Sequence, residues 1–148
     1  MHISRCKAAP YKASMSSSEL IITADTIVYL DGIVLGKPKN ADEACRMLAM
    51  LSGKTHQVIT GVTLLTRQQK HTFASVSHVT FAQLTPEEIE HYVTQYNPTD
   101  KAGAYGIQEW IGYIGVERIE GSYFNVMGLP VQRLYTELKS MGLMMTKK

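Results

Sequence analysis

A hairpin with a carboxylate set into its longer arm constrains this chain more than any other stretch. Residues 21–38 read IITADTIVYLDGIVLGKP. The run from Ile21 to Leu30 is apolar and rich in β-branched residues, which suits a buried strand. Asp25 interrupts it, and an ionised carboxylate inside an apolar run is costly unless something pairs with it or coordinates it. Asp31-Gly32 is a strong hairpin signal, because a type I′ turn needs positive φ at both central residues. A two-residue turn pairs Leu30 with Ile33, which sets Lys37 opposite Thr26, at the Asp25 end of the hairpin. Strict alternation puts Asp25 and Lys37 on opposite faces. They converge only if a bulge or the turn into Pro38 re-aims Lys37. Residue types alone leave two readings open. One is a strand-end aspartate and a surface lysine. The other is an acid and a cation suited to a metal and an anionic substrate.

At 148 residues the chain is one domain with room for a core. A net charge of +2 gives no electrostatic footprint for nucleic acid or a membrane surface. Cys6 and Cys45 have no paired spacing, and nothing resembles a secretory signal, so a reducing cytoplasm is the default. No apolar run approaches the roughly 18–20 residues of a membrane span.

Along the chain, residues 2–13 suggest a short helix carrying Lys7 and Lys12, followed by the polar break Ser16-Ser17-Ser18. A buried strand so soon after leads us to expect sequence upstream of it. Asn40 with Glu43 signals a helix start, the stripe Ala44, Met47, Leu48 and Leu51 follows, and Gly53 ends it. Strands are expected over 55–66 and 72–84, joined by a polar turn over 67–71. A phase change near Ser77-His78 predicts a bulge there. His56, His71 and His78 lack metal-ligand spacing and read as strand or turn residues. Thr85-Pro86-Glu87-Glu88 opens a second helix through Ile89, Tyr92 and Val93, closed by Asn97-Pro98. Residues 100–108 (DKAGAYGIQ) carry a bare backbone that lets a ligand or another strand approach closely; a glycine-rich strand entry is the plainer alternative. A strand is expected over 110–119, a tight connection over 125–129, and a last helix after Pro130 with Val131, Leu134, Tyr135 and Leu138 as its stripe. Strands and helices without strict alternation suggest an α/β fold around a mixed, highly twisted sheet.

Several ordered stretches resemble the Maf family of nucleoside triphosphate pyrophosphatases. They are Ala24-Asp25-Thr26, Gly36-Lys37-Pro38, residues 51–58 (LSGKTHQV) with Thr60-Gly61-Val62, residues 100–108, Gly121-Ser122-Tyr123, and Asn125-Val126 with Gly128-Leu129-Pro130. The resemblance runs from about Ser4 to Leu138. It implies an elongated α/β domain with a central mixed sheet, a cleft between two lobes, and a tendency to form homodimers. It also implies a nucleotide-pool house-cleaning role: hydrolysis of nucleoside triphosphates between the α and β phosphates, with a divalent cation, Mg²⁺ or Mn²⁺. The string over 100–108 resembles the branch acting on dTTP and UTP.

Position by position, Asp25 matches the family's catalytic acid and proposed proton acceptor, and we expect it to hold the metal. Thr26 and Gln108 match positions linked to substrate choice. Lys37 matches a phosphate-side lysine. Lys7 matches a lysine on the preceding helix, and Lys101 is a further candidate for the phosphates. Family members open with a strand and a Ser-x-Arg-Arg loop that cradles phosphate. Residues 1–20 supply neither, and Arg5 is the only arginine there. The expectation is therefore a single Maf-like domain lacking its first segment. Two function classes follow: a pyrimidine nucleotide pyrophosphatase, or a nucleotide-binding or interaction module, linked to cell division, without full turnover.

Overall fold

A computed structural model describes residues 19–143. Five strands form one sheet in the order β2-β1-β3-β4-β5. These are β1 (Ile21–Leu30), β2 (Ile33–Leu35), β3 (Thr55–Leu65), β4 (Lys70–Phe81) and β5 (Val116–Glu120). The helices are α1 (Ala41–Leu51), α2 (Pro86–Tyr96), α3 (Trp110–Gly115), α4 (Tyr123–Met127) and α5 (Val131–Ser140), with 3₁₀ turns at Pro98–Asp100 and Ala102–Ala104. The α/β class holds. The expected mixed sheet does not, because every strand pairing among the described residues is antiparallel. Short reversals join β1 to β2 and β3 to β4, and such turns allow only antiparallel neighbours.

The hairpin forms as the turn chemistry requires. Asp31 and Gly32 take φ of 49° and 83°, and Leu30 pairs with Ile33. Asn40 caps α1 by accepting from the Glu43 amide at 2.8 Å, while the Glu43 carboxylate reaches back to the Lys39 amide. Thr85 and Glu88 make a reciprocal capping box at the start of α2.

Four expectations are corrected. The 67–71 turn is shorter, because Lys70 and His71 already pair with Leu65 and Leu64. The β3–β4 register runs unbroken past Ser77, and the irregularity lies instead at Thr80/Phe81, against β5. The phase change at Ser77 has another cause. Val76 faces outward and Ser77 sits fully buried in an apolar position, its hydroxyl bonded to the Ser122 carbonyl. Residues 110–115 are helical rather than extended. Ile111 and Gly115, one turn apart, face the interior, and tertiary packing overrides the β-branched and aromatic composition. In α5, Leu138 is buried but Val131 and Tyr135 are exposed, so the stripe is narrower than expected. The connection expected over 125–129 overlaps α4, which starts earlier, at Tyr123, behind its Ser122 cap. The expected helix over 2–13 lies outside the described residues.

Directly opposed residues share a sheet face. One face carries Val28, Val58, Val79 and Phe81 at one end, packed with Leu48 and Leu51 of α1 and with Ile89, Tyr92 and Val93 of α2. The same face carries Val62, Leu64 and Phe73 at the other end, under Leu138 of α5. Between them Thr26, Thr60 and Ser77 form a polar strip, and α4 lies over it through Asn125.

Candidate active site

A cavity of about 300 Å³ opens beside this polar strip. Its lining includes Asp25, Thr26, Lys37, Lys101 and Gln108, with residues 126–128 as a wall. Asp25 and Thr26 occupy opposite faces of β1 by alternation, yet both line the cavity, so it wraps around the strand edge that β2 leaves uncovered before Val28. Lys37 reaches it by the second of the two routes the sequence allowed. β2 ends at Leu35, so Lys37 is already outside the ladder and is not bound by alternation. Lys7 lies outside the described residues.

The 98–108 segment opens with two 3₁₀ turns, Pro98–Asp100 and Ala102–Ala104, rather than a strand entry, and close approach explains Gly103. Gly103 has φ of 70°, and a Cβ there would stand 2.7 Å from Val28 Cγ2. Its amide donates to the Gly36 carbonyl at 3.1 Å, tying this loop to the segment that carries Lys37. Ala104 also adopts positive φ, at 67°, a conformation that costs an L-residue roughly 1–2 kcal/mol. The strain sits between Lys101 and Tyr105, both of which line the cavity.

Two buried aromatics hold this loop from behind. Tyr92 donates to Glu109 Oε1 at 2.5 Å and accepts from the Gly106 amide at 3.1 Å. Burial, then the Glu109 carboxylate, pushes its phenol pKa upward. The Tyr105 hydroxyl lies 2.6 Å from His56 Nε2, and burial pushes this phenol's pKa upward too. The phenol therefore stays protonated, and the tautomer of the ring decides which of the two donates. Burial pushes His56 down to about 4, so the imidazole is neutral at pH 7, and its Nδ1 has no partner among the described residues.

Two carboxylates, Asp25 and Asp100, and two ammonium groups, Lys37 and Lys101, line the cavity. Lys101 Nζ is 3.7 Å from Asp100. Described charges of the lining therefore cancel, and a polyphosphate entering it would bring uncompensated negative charge. No group of three or more His, Cys, Asp or Glu that could cage a metal exists among the described residues. Magnesium does not need such a cage. It is held through one or two carboxylates plus substrate phosphates, and Asp25 is a donor of that kind.

The Maf-like protein family model matches residues 1–141. The chain belongs to the Maf-like family. It is 64% identical over 141 residues to a dTTP/UTP pyrophosphatase of Phocaeicola vulgatus, covering 95% of this chain and 73% of that protein. It is 58% identical over 140 residues to the dTTP/UTP pyrophosphatase of Bacteroides thetaiotaomicron, covering 95% and 72%. A Porphyromonas gingivalis protein of the same name is 56% identical over 144 residues, covering 96% and 72%.

Nothing local in the sequence of this Maf-like chain marks Tyr92, His56, Thr60 or Asn125 as supports of the cavity. Tyr92 and His56 read as core and strand. Thr60 and Asn125 stood inside family motifs without a role. Only the β1–β3 register, a long-range pairing with no local signal, brings Thr60 opposite Thr26. No helix among the described residues is long and apolar enough to cross a membrane.

Proposed function

We propose that this chain hydrolyses pyrimidine nucleoside triphosphates, dTTP and UTP among them, to the monophosphate and pyrophosphate. The observation that carries the reading is one cavity lined by two acids, two lysines and an amide, in a chain 64% identical to a dTTP/UTP pyrophosphatase. Asp25 accepts the proton of the water that attacks the α phosphorus. Lys37 and Lys101 hold the departing pyrophosphate, with Lys7 as a further phosphate contact. Gln108 offers both a donor and an acceptor to the edge of a uracil or thymine base, and Thr26 contributes to substrate choice. Asp25 is the residue that would hold a divalent cation, Mg²⁺ or Mn²⁺. When bound, that cation supplies the positive charge the lining lacks and polarises the phosphoryl group. A cytoplasmic homodimer is the assembly this reading carries, open to sedimentation analysis.

The test is pyrophosphate release from dTTP and UTP with either cation. Asp25→Asn is expected to lower turnover by about 10²-fold or more while the melting temperature holds. A variant that keeps its rate removes Asp25 from the chemistry. Nucleotide binding without pyrophosphate release would instead identify a binding module.

A further inference from the structure

Thr26 faces Thr60 directly across the β1–β3 ladder, and their Oγ1 atoms are 3.0 Å apart. Either hydroxyl could donate in an isolated pair. Here the direction is set from behind. Thr60 Oγ1 donates to the Asn125 carbonyl at 3.3 Å, and a carbonyl oxygen only accepts. Thr60 is fully buried, so water does not compete for its one hydroxyl hydrogen. That hydrogen is committed to Asn125, and Thr60 is left as an acceptor. The contact with Thr26 must therefore carry Thr26's own hydrogen.

The far end of this relay cannot easily reverse. Asn125 Nδ2 donates to the Val58 carbonyl at 3.1 Å and to Ser77 Oγ at 2.9 Å. Ser77 in turn donates to the Ser122 carbonyl at 3.0 Å, and the Asn125 amide donates to Ser122 Oγ. Thr60 and Ser77 each place their one hydroxyl hydrogen on a backbone carbonyl, and these bonds from β3 and β4 to α4 hold the Asn125 carbonyl where Thr60 needs it.

We propose that Thr60 is a positioning residue that sets the polarity of Thr26: its hydrogen points into the protein, and only its lone pairs face the cavity. The ligand group that meets Thr26 must then be a hydrogen-bond donor. On the reading of this cavity as a pyrimidine nucleotide site, on which this inference rests, two donors qualify. One is the N3–H of uracil or thymine, and the other is the sugar 3′-hydroxyl, which dTTP and UTP share. Cytosine offers an acceptor at N3 and would be disfavoured if the base is the partner.

Calorimetric binding of the α,β-imido analogue of UTP, its N3-methyl form and its 3′-deoxy form tests this on the whole chain. The wild-type protein is expected to bind one of the two modified ligands about five- to tenfold more weakly, the effect of one lost hydrogen bond. Which one suffers identifies the donor. In Thr60→Val the Thr26 hydroxyl has lost its inward acceptor and turns its own hydrogen toward the cavity, so the donor of the unmodified ligand no longer finds a lone pair and that same penalty shrinks to about twofold or less, whereas Thr60→Ser retains it. A merely structural Thr60 would weaken all three ligands alike. The proposal is overturned if wild-type protein binds all three equally, or if Thr60→Val keeps the full penalty. If the wild-type chain binds no uridine nucleotide at all, the nucleotide reading of the cavity falls first and this inference with it. Should Thr60→Val not fold, Thr26→Val replaces it: loss of the penalty supports the assignment and its persistence overturns it.

Discussion

The two ends of the covered sheet face solve the same burial problem differently. At the α1 and α2 end, Leu48 and Leu51 are completely buried against Val28, Val58 and Phe81, and Tyr92 closes the layer. At the α5 end, Val62, Leu64 and Phe73 meet a single buried helix residue, Leu138. What apolar contact does not supply there, charge does. Arg133 Nε donates to Glu137 at 2.7 Å, His71 Nε2 shares the same carboxylate, and the guanidinium lies 5.0 Å from the Phe73 ring centroid and bonds the Ala74 carbonyl. The difference teaches where the cavity can exist. It opens beside the polar strip between the two clusters, where neither apolar layer reaches and hydroxyls and an asparagine take over.

The sharpest way to break this comparison is to remove equal side chains from both ends. Leu48→Ala should cost about 4 kcal/mol, near the top of the range for a site with no exposure, because rigid neighbours on two helices and the sheet cannot collapse into the void. Leu138→Ala, partly open and on a helix packed at few points, should cost about 2 kcal/mol. Urea unfolding of the two variants measures both. Equal losses would mean that the α5 end is packed as rigidly as the other.

How much of this was legible follows the range of each signal. The β1–β2 hairpin and the caps of α1 and α2 are written in a few adjacent residues: Asp31-Gly32, Asn40 with Glu43, Thr85 with Glu88. Local chemistry decides them. The helix over 110–115 was not legible, because its aromatic and β-branched residues fit a strand and only burial of Ile111 and Gly115 against the core decides otherwise. Ser77 misled in the same way. A serine in an apolar position looked like a break in period, but Ser122 and Asn125 satisfy it. Positions around the cavity were legible through family motifs, and the structure sets Asp25, Thr26, Lys37, Lys101 and Gln108 along one lining. Their supports were not, since Thr60, His56 and Tyr92 act through partners 34 to 65, 49, and 14 to 17 residues away.

His56 sharpens the comparison through pH. Its ordinary value is 6.5, and burial lowers it to about 4 in the folded chain. The unfolded state therefore binds the extra proton first. Stability is fully present above pH 6.5 and declines as pH falls toward 4, by about 3 kcal/mol at most. The large apolar core, which looks indifferent to charge, should thus carry most of the acid sensitivity between pH 6.5 and 4.5. Unfolding free energies across that window check it, with His56→Phe expected to flatten the slope. A slope unchanged in the variant would assign the sensitivity elsewhere.

The smallest expected effect lies at the charged end. Hydrogen bonds from Arg133 and then His71 hold the Glu137 carboxyl below its ordinary 4.5, so its contribution is present above that value and lost as pH falls below it. Arg133 and His71 are both partly exposed, so water screens the cluster and Glu137→Gln should cost about 1 kcal/mol at neutral pH. The magnitude alone would not separate charge from packing, because a weakened helix contact could cost as much. Salt does separate them. At about 1 M salt the screening length shrinks to about 3 Å, so a penalty that comes from charge should fall by half or more, while that of Leu138→Ala should hold or grow. A Glu137→Gln penalty indifferent to salt and persisting below pH 4 would mean that α5 is held by shape, and that the two ends of the sheet differ in amount of packing rather than in kind.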